Sequence, residues 1–301
     1  MQGLIKKNVP LVSIIMNCYN SSEFLHEAVE SIFKQTYQNW ELIFWDNQST
    51  DTSASIIKRI KDNRIKYYYS EKHTPLSEAR NLAINKAKGE WLAFLDCDDI
   101  WMDKKLELQI DSINFNSRVG VVYSPFMVLI NTTNKENTMV KNLTSNVILK
   151  EHGPKNIYSK LLKGNFIIFS GVMLKKSIFE LTGGFSLNFV HNEDYEILLK
   201  SCLKSFAICL REPQVYYRIH NSNYSYCNDE IKYSELNSIF ESLPDSPLRK
   251  RAISRNFTRY AIYKFREGKY AEGLNIFFKR GSLLSFLQII KYKLDSSNKR
   301  N

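Results

Sequence analysis

The stretch Trp91-Leu92-Ala93-Phe94-Leu95-Asp96-Cys97-Asp98-Asp99 joins an apolar run directly to three carboxylates. An apolar run of this length fits a strand buried on both faces, as in the middle of a parallel sheet. Carboxylates so close together repel one another unless something positive sits between them. A hard divalent cation, Mg²⁺ or Mn²⁺, takes oxygen ligands of this kind and would bridge them to a diphosphate. The bland alternative is an acidic helix start favoured by the macrodipole, since Asp103 and a helical stretch follow. Position tilts the choice toward a ligand site, because open α/β sheets bind ligands where strands end.

Upstream, the pattern repeats. Residues 11–16 form another apolar run, and Phe24, Leu25, Ala28, Val29, Ile32 and Phe33 follow at helical spacing behind Ser21 and Ser22. Strands are expected over 40–45 and 65–69, and helices over 53–61 and 77–88, the last stopping at Gly89. This alternation predicts an α/β fold with a mainly parallel sheet flanked by helices. Downstream the spacing is less regular. Strands are expected over 119–123, 126–130, 166–169 and 215–220, and helices over 157–163 and 194–204. From Asp229 onward the pattern is helical, clearest over 252–266, 270–280 and 283–292.

The 301 residues are 44% hydrophobic and 24% charged, as in an ordinary globular chain, and no window is long and apolar enough for a membrane span. The N-terminal apolar run is too short for a signal peptide, so a cytoplasmic protein is expected. Five cysteines without a C-x-x-C pair indicate neither a disulfide framework nor a zinc site. The net charge of +11 is unevenly spread: residues 231–301 hold 15 Lys or Arg against 6 Asp or Glu, leaving +2 for the first 230. Such a tail suits an anionic partner.

Several common chemistries are excluded by absent motifs. The chain has no phosphate loop of the G-x-x-x-x-G-K-[ST] type, no G-x-G-x-x-G after the first strand, no G-x-S-x-G and no H-E-x-x-H. At the first strand end stand Asn17-Cys18-Tyr19-Asn20, where a tyrosine could stack on a base and an amide could read its edge. Asp46, at the next strand end, could accept the imide N–H of uracil, or serve an ordinary turn. Arg80 could pair with a phosphate, or form a helix-surface ion pair.

Together these residues resemble the nucleotide-sugar half of the family 2 glycosyltransferases, which have the GT-A fold. The opening strand with Tyr19-Asn20, the turn Asp46-Asn47-Gln48-Ser49-Thr50-Asp51, Ala79-Arg80-Asn81 and the D-x-D motif Asp96-Cys97-Asp98 stand in the family's order over 11–101. Further on, Ser170-Gly171-Val172-Met173-Leu174, Gly183-Gly184-Phe185, Glu193-Asp194 and Tyr217-Arg218-x-His220 with Ser222 and Ser225 are similar to its acceptor half. One departure stands out: the second Asp of the family's nucleotide turn is Asn47 here, which keeps hydrogen bonding but loses charge, weakening a base or ribose contact there and giving a degenerate binding module its one foothold. The resemblance implies a catalytic domain over 1–228, divided at 101/102 into nucleotide-sugar and acceptor halves, and a basic helical extension over 229–301.

It also implies an inverting transfer from a nucleoside-diphosphate sugar, with UDP favoured over GDP or dTDP, to a glycan or lipid-linked acceptor in surface polysaccharide synthesis. Asp194 would be the catalytic base, supported by Glu193. Asn17, Tyr19, Asn20, Asp46, Arg80, Asp96 and His220 would bind the nucleotide-sugar, and Asp98 with Asp96 would hold Mn²⁺ or Mg²⁺. In the extension, Arg249, Lys250, Arg251, Arg255 and Arg259 lie among Ile253, Phe257, Tyr260 and Ile262. They would form a basic face toward an anionic membrane surface, or be merely solvated while the apolar face packs on the catalytic domain. The rival readings are a catalytically degenerate nucleotide- or glycan-binding module and a sugar nucleotidyltransferase. A nucleic-acid partner has no motif behind it.

Overall fold

The computed structural model describes residues 9–113, 118–131, 138–141, 150–220, 229–284 and 286. Ser222, Ser225 and Cys227 lie outside the described residues, as does most of the helix expected over 283–292. The chain forms two compact units, one from 1–157 with 166–221 and the other from 158–165 with 222–301.

The first unit is built on two sheets. Strands β1 (Val12–Cys18), β2 (Trp40–Asp46), β3 (Ile65–Tyr69) and β4 (Trp91–Phe94) alternate with helices α1 (Ser22–Phe33), α2 (Ser53–Lys58) and α3 (Leu76–Ile84). Next come β5 (Ile100–Trp101), α4 (Lys105–Ile113), β6 (Val119–Tyr123), β7 (Phe126–Asn131), β8 (Thr138–Lys141) and β9 (His152–Lys155). They are followed by α5 (Tyr158–Leu161), β10 (Met173–Lys175), α6 (Lys176–Thr182), α7 (Glu193–Lys204), β11 (Phe206–Cys209) and β12 (Val215–Ile219). The larger sheet runs β3-β2-β1-β4-β10-β6-β11-β9 and the smaller β5-β12-β7-β8. β1 pairs in parallel with β2 and β4, and β2 with β3, so their C-terminal ends share one edge. Burial explains the sequence pattern: every residue of β2 and β4 is buried, and the core includes Ile14, Leu42, Phe44, Ala93 and Met173.

Two expectations need correction, and some elements were not expected. Residues 166–169 are not a strand; a 3₁₀ turn at Phe169–Gly171 leads into β10, which enters the sheet antiparallel to β4 and β6. The apolar side chains there are spent on ring packing, with Phe169 4.3 Å from Phe94 and 5.8 Å from Phe185. Helix α3 ends at Ile84 rather than reaching Lys88, because the N–H groups of Lys86 and Ala87 turn back to Ala83 and Ile84, tightening the last turn. The short strands β5, β8, β9, β10 and β11 have no counterpart in the sequence reading, being too brief to establish a period.

In the second unit, α8 (Asp229–Ser242), α9 (Pro247–Arg266) and α10 (Tyr270–Arg280) join α5. Helix α9 begins with Ser246 accepting from the Arg249 N–H at 3.1 Å and Pro247 in the first turn, a strong start signal. Lys264 is buried and pairs with Glu230 at 2.5 Å and Glu272 at 2.8 Å, linking α9 to both neighbours. Among the described residues no helix is long and apolar enough to cross a membrane.

Candidate active site

The strand ends converge as their parallel pairing requires. Cys18 and Asp46 are register partners, so Tyr19-Asn20 and Asn47-Gln48 leave the sheet side by side. Asn20 and Gln48 adopt left-handed backbone with φ 51° and 71°. The strain is tolerable at Asn20 because its Oδ1 accepts from the Thr50 and Asp51 N–H groups at 2.7 and 3.3 Å. Asn20 thus ties the two loops together. Tyr19 is half exposed, and its ring centroid lies 4.3 Å from that of His73. Asn17 sits one turn of the pleat deeper, its amide nitrogen buried without a hydrogen-bond partner.

Asp46 is fully buried, one oxygen accepting from Ser49 N–H at 2.7 Å and the other from the Tyr67 hydroxyl at 2.7 Å. Burial and this carboxylate push the Tyr67 hydroxyl well above the usual phenol range, so it stays a donor. Asn47 is buried and committed to the neighbouring loop. Its Nδ2 donates to the Thr74 carbonyl at 2.7 Å, and its Oδ1 accepts from Thr74 N–H at 3.3 Å and Oγ1 at 3.1 Å. A carboxylate has no N–H to give the Thr74 carbonyl, so the departure to Asn has a structural cause.

The acidic stretch is sorted by direction. Cys97 faces inward and donates to the Asn17 carbonyl at 3.3 Å. Asp99 is also inward, at 2% exposure, accepting from Ser170 Oγ at 2.5 Å and Arg218 N–H at 3.0 Å. Ser170 Oγ in turn accepts from Asp96 N–H at 3.2 Å. Arg218 Nε donates to the Asp98 carbonyl at 2.8 Å, and its Nη2 pairs with Glu27 at 2.9 Å. One carboxylate therefore braces the loop while the other two remain outside. Asp98 Oδ2 lies 3.0 Å from His220 Nε2, and Asp96 Oδ1 lies 3.3 Å from Arg80 Nη2.

Arg80 connects this loop to the start of α7. Nearly buried against the rings of Phe169 and Phe185, it donates through Nη1 to Glu193 Oε1 at 2.9 Å. Asn81, its neighbour, receives the Phe185 N–H at 3.0 Å and donates to the Phe185 carbonyl at 2.8 Å. Gly184 at φ 78° makes that approach possible, since a Cβ there would fall 2.9 Å from Asn81 Oδ1. Asp194 occupies the first turn of α7, accepting from the Tyr195 N–H at 2.5 Å. Burial holds its carboxyl above the usual range, opposed by the nearby Arg80 charge. Asp96, partly exposed, is likewise raised, by the desolvation of its covered side and by repulsion from Asp98 against the pull of Arg80.

The structure thus brings Arg80, Asp96 and Glu193 together, with Asp194 in the next position, and separately joins Asp98 to His220. Tyr19, Asn20 and Asp46 gather at the neighbouring strand ends, where Asn17 leads into them. Ser170, Arg218, Glu27, Thr74 and His73 are the participants that site reasoning from sequence did not assign. Ser170 and Arg218 stood in motifs already singled out; the others carry no local signal. Among the described residues no group of three or more His, Cys, Asp or Glu side chains is gathered as a metal site on protein ligands alone.

The profile described as Glycosyl transferase family 2 matches residues 13–182. A relative from Escherichia coli, UDP-Glc:alpha-D-GlcNAc-diphosphoundecaprenol beta-1,3-glucosyltransferase WfgD, is 32% identical, covering 84% of this chain and 94% of its own. Among solved structures, S. aureus TarS 1–349 in complex with UDP-GlcNAc superposes with a TM-score of 0.67 at 15% identity, covering 91% of this chain and 82% of the other. The mannosyltransferase PcManGT from Pyrobaculum calidifontis, in complex with GDP-Man and Mn²⁺, gives 0.65 at 17% identity, covering 96% and 81%. These likenesses show the GT-A fold.

Proposed function

The chain belongs to glycosyl transferase family 2, and from that premise we propose that it moves a sugar from a UDP-sugar to a hydroxyl of a lipid-linked glycan, with inversion, in surface polysaccharide synthesis. The observation that carries the reading is Arg80, which ties Asp96 of the acidic loop to Glu193 and so sets Asp194 beside it. The names of the relatives support the substrate classes: WfgD uses UDP-glucose and a diphosphoundecaprenol acceptor, and TarS was solved with UDP-GlcNAc. The same reading puts the enzyme in the cytoplasm, at the inner face of the membrane that holds the acceptor.

In this mechanism Asp194 takes the proton of the acceptor hydroxyl as its oxygen attacks the anomeric carbon. The bond from that carbon to the diphosphate breaks, and its electron pair leaves with UDP. A raised carboxyl pKa brings Asp194 closer to working pH, where a base is more effective, and such catalysis is typically worth about 10²–10⁴-fold. Glu193 holds Arg80, whose remaining positive field faces the acidic loop and a bound phosphate. Tyr19 offers its exposed face to the base, and Asn17 keeps a buried N–H for a ligand oxygen. Asn20 shapes the loop that presents Tyr19. A base contact by Asp46 would use the lone pairs left over from Ser49 and Tyr67.

A divalent cation fits the residues present. Asp98 and His220 supply oxygen and nitrogen donors 3.0 Å apart, and Asp96 keeps nearly half its side chain exposed beside them. Mg²⁺ and Mn²⁺ commonly take one or two carboxylates and complete their shell with water and substrate phosphates, so the small donor count suits them. When bound, such an ion neutralises charge on the leaving diphosphate as a Lewis acid. The degenerate-module reading rested on Asn47, and the Thr74 hydrogen bonds give that residue a structural use, so nothing favours it.

The direct test is thermal stability with UDP, GDP and dTDP, each with and without Mn²⁺. A ligand at about 100 times its dissociation constant adds about 2.7 kcal/mol. A Mn²⁺-dependent rise with UDP is expected, followed by turnover with UDP-glucose. No rise with any nucleotide, in folded protein, would overturn the donor-site reading.

A further inference from the structure

In the second unit the apolar face of α9, one of the two places where a lipid contact could be sought, is turned inward. Ala252, Ile253 and Ala261 are buried, and Phe257 is covered by the Arg280 guanidinium 5.9 Å from its ring. Helix α10 packs tightly on α9 at Gly273, where a Cβ would stand 2.4 Å from the Phe265 ring and 3.1 Å from the Ala261 carbonyl. With Gly273, Ile276 and Phe277 committed to that side, another face of α10 is left to solvent.

That face is apolar. Tyr270, Leu274 and Phe278 follow at four-residue intervals and so form one stripe, at 67%, 49% and 80% exposure. Leu283 and Leu284, just beyond the end of the helix, are exposed at 67% and 66%. Single exposed apolar residues are ordinary; an aligned series on one short helix marks a contact surface. Lys279 and Arg280 close the helix, Arg280 paired with Glu241 and Glu272 with Lys264, and residues 231–301 as a whole hold 15 Lys or Arg against 6 Asp or Glu.

We propose that the Tyr270–Leu274–Phe278 stripe, with Leu283 and Leu284, is the surface by which this protein lies on an anionic lipid bilayer. The apolar side chains enter the boundary between headgroups and acyl chains, and the surrounding cations meet lipid phosphates, the arrangement of an interfacial amphipathic helix. A second copy of the chain would cover the apolar stripe equally well, but residues 231–301 carry 15 cations to 6 anions, so two such surfaces repel. The proposal deepens the lipid-linked-acceptor reading and rests on it for its purpose, while its test is independent of donor chemistry.

The full chain is sedimented with phosphatidylglycerol-containing vesicles and with pure phosphatidylcholine vesicles. The expected result is at least about tenfold stronger pelleting with the anionic vesicles, weakening as salt is added. The triple variant Tyr270→Ser, Leu274→Ser, Phe278→Ser should lose about tenfold or more of that binding, with its thermal midpoint and UDP response unchanged. Lys279→Glu, which leaves the apolar stripe intact, should also lose about tenfold. Native chain that ignores anionic vesicles, or variants that pellet as the native chain does, would overturn the proposal. So would a dimer abolished by the triple variant in the absence of vesicle binding. A missing UDP response with vesicle binding intact would count against the donor site and leave this surface standing.

Discussion

Arg80 Nη1 donates to Glu193 Oε1 at 2.9 Å across 113 residues of sequence, and both side chains are almost fully buried. The pair joins helix α3 to helix α7, which carries Asp194. Removing one partner strands the other charge in the interior, a loss of about 3–5 kcal/mol for a buried pair. Arg80→Ala should therefore lower the thermal midpoint and abolish transfer together. Arg80→Lys, which cannot fork to both Glu193 and Asp96, should recover much of the stability and little of the activity. Unfolding curves beside turnover assays check this, and an Arg80→Ala protein as stable as the native one would contradict it.

Asn47→Asp restores the residue that the family pattern favours, yet it should be harmful here. The substitution removes the donor to the Thr74 carbonyl and sets a carboxylate oxygen against it. The expected cost is about 1–3 kcal/mol, as for a buried polar group that loses its partner. Calorimetric unfolding of the variant measures it; a neutral or stabilising result would mean that Asn47 is not the staple of the 70–75 loop.

Ser170→Ala tests the brace behind the acidic loop. The hydroxyl both donates to Asp99 and accepts from the Asp96 N–H, so its loss should free the backbone of the D-x-D stretch. Stability should fall by about 1–3 kcal/mol, and Mn²⁺-dependent UDP binding should weaken beyond what that loss explains. Titration calorimetry with UDP and Mn²⁺ reads the second effect, and unchanged affinity would remove Ser170 from the positioning of the loop.

These expectations show what could be read from the chain alone. The parallel strands β1 to β4 and the acidic stretch at a strand end are local patterns, set by apolar runs and their polar ends, whereas the Glu193-Asp194 pair was legible only through the family resemblance. The division of labour within Asp96-Cys97-Asp98-Asp99 was not legible, since all three carboxylates look alike until Ser170 and Arg218 are brought up from distant segments. Asn47 looked like a weakened ligand contact because its partner, Thr74, stands 27 residues away in another loop. Phe166 to Phe169 has the composition of a strand, and only the rings of Phe94 and Phe185 reveal where it is buried. In the tail the basic apolar composition was visible, but α9 and α10 differ in which face is covered, which depends on the close approach at Gly273.

The pH dependence should report Asp194. Its folded carboxyl pKa is raised, so kcat/KM should rise with pH through a midpoint above about 3.9, the ordinary aspartate value. The stability effect has the opposite sense. A raised folded pKa contributes stability below the unfolded pKa, and that contribution disappears as pH rises through the folded one. Asp194→Asn should accordingly be at least as stable as the native chain at neutral pH. A pH–rate profile whose acid limb lies at or below the ordinary aspartate value would contradict the assignment.

The most direct measurement pairs transfer with binding in Asp194→Asn. With UDP-glucose, Mn²⁺ and a GlcNAc-diphospholipid acceptor, the native enzyme should release UDP and form product. The variant should be slowed by about 10²–10⁴-fold or more while binding UDP with Mn²⁺ as tightly as before. Transfer within a few-fold of the native rate, or equal loss of transfer and UDP binding, would show that Asp194 is not the base.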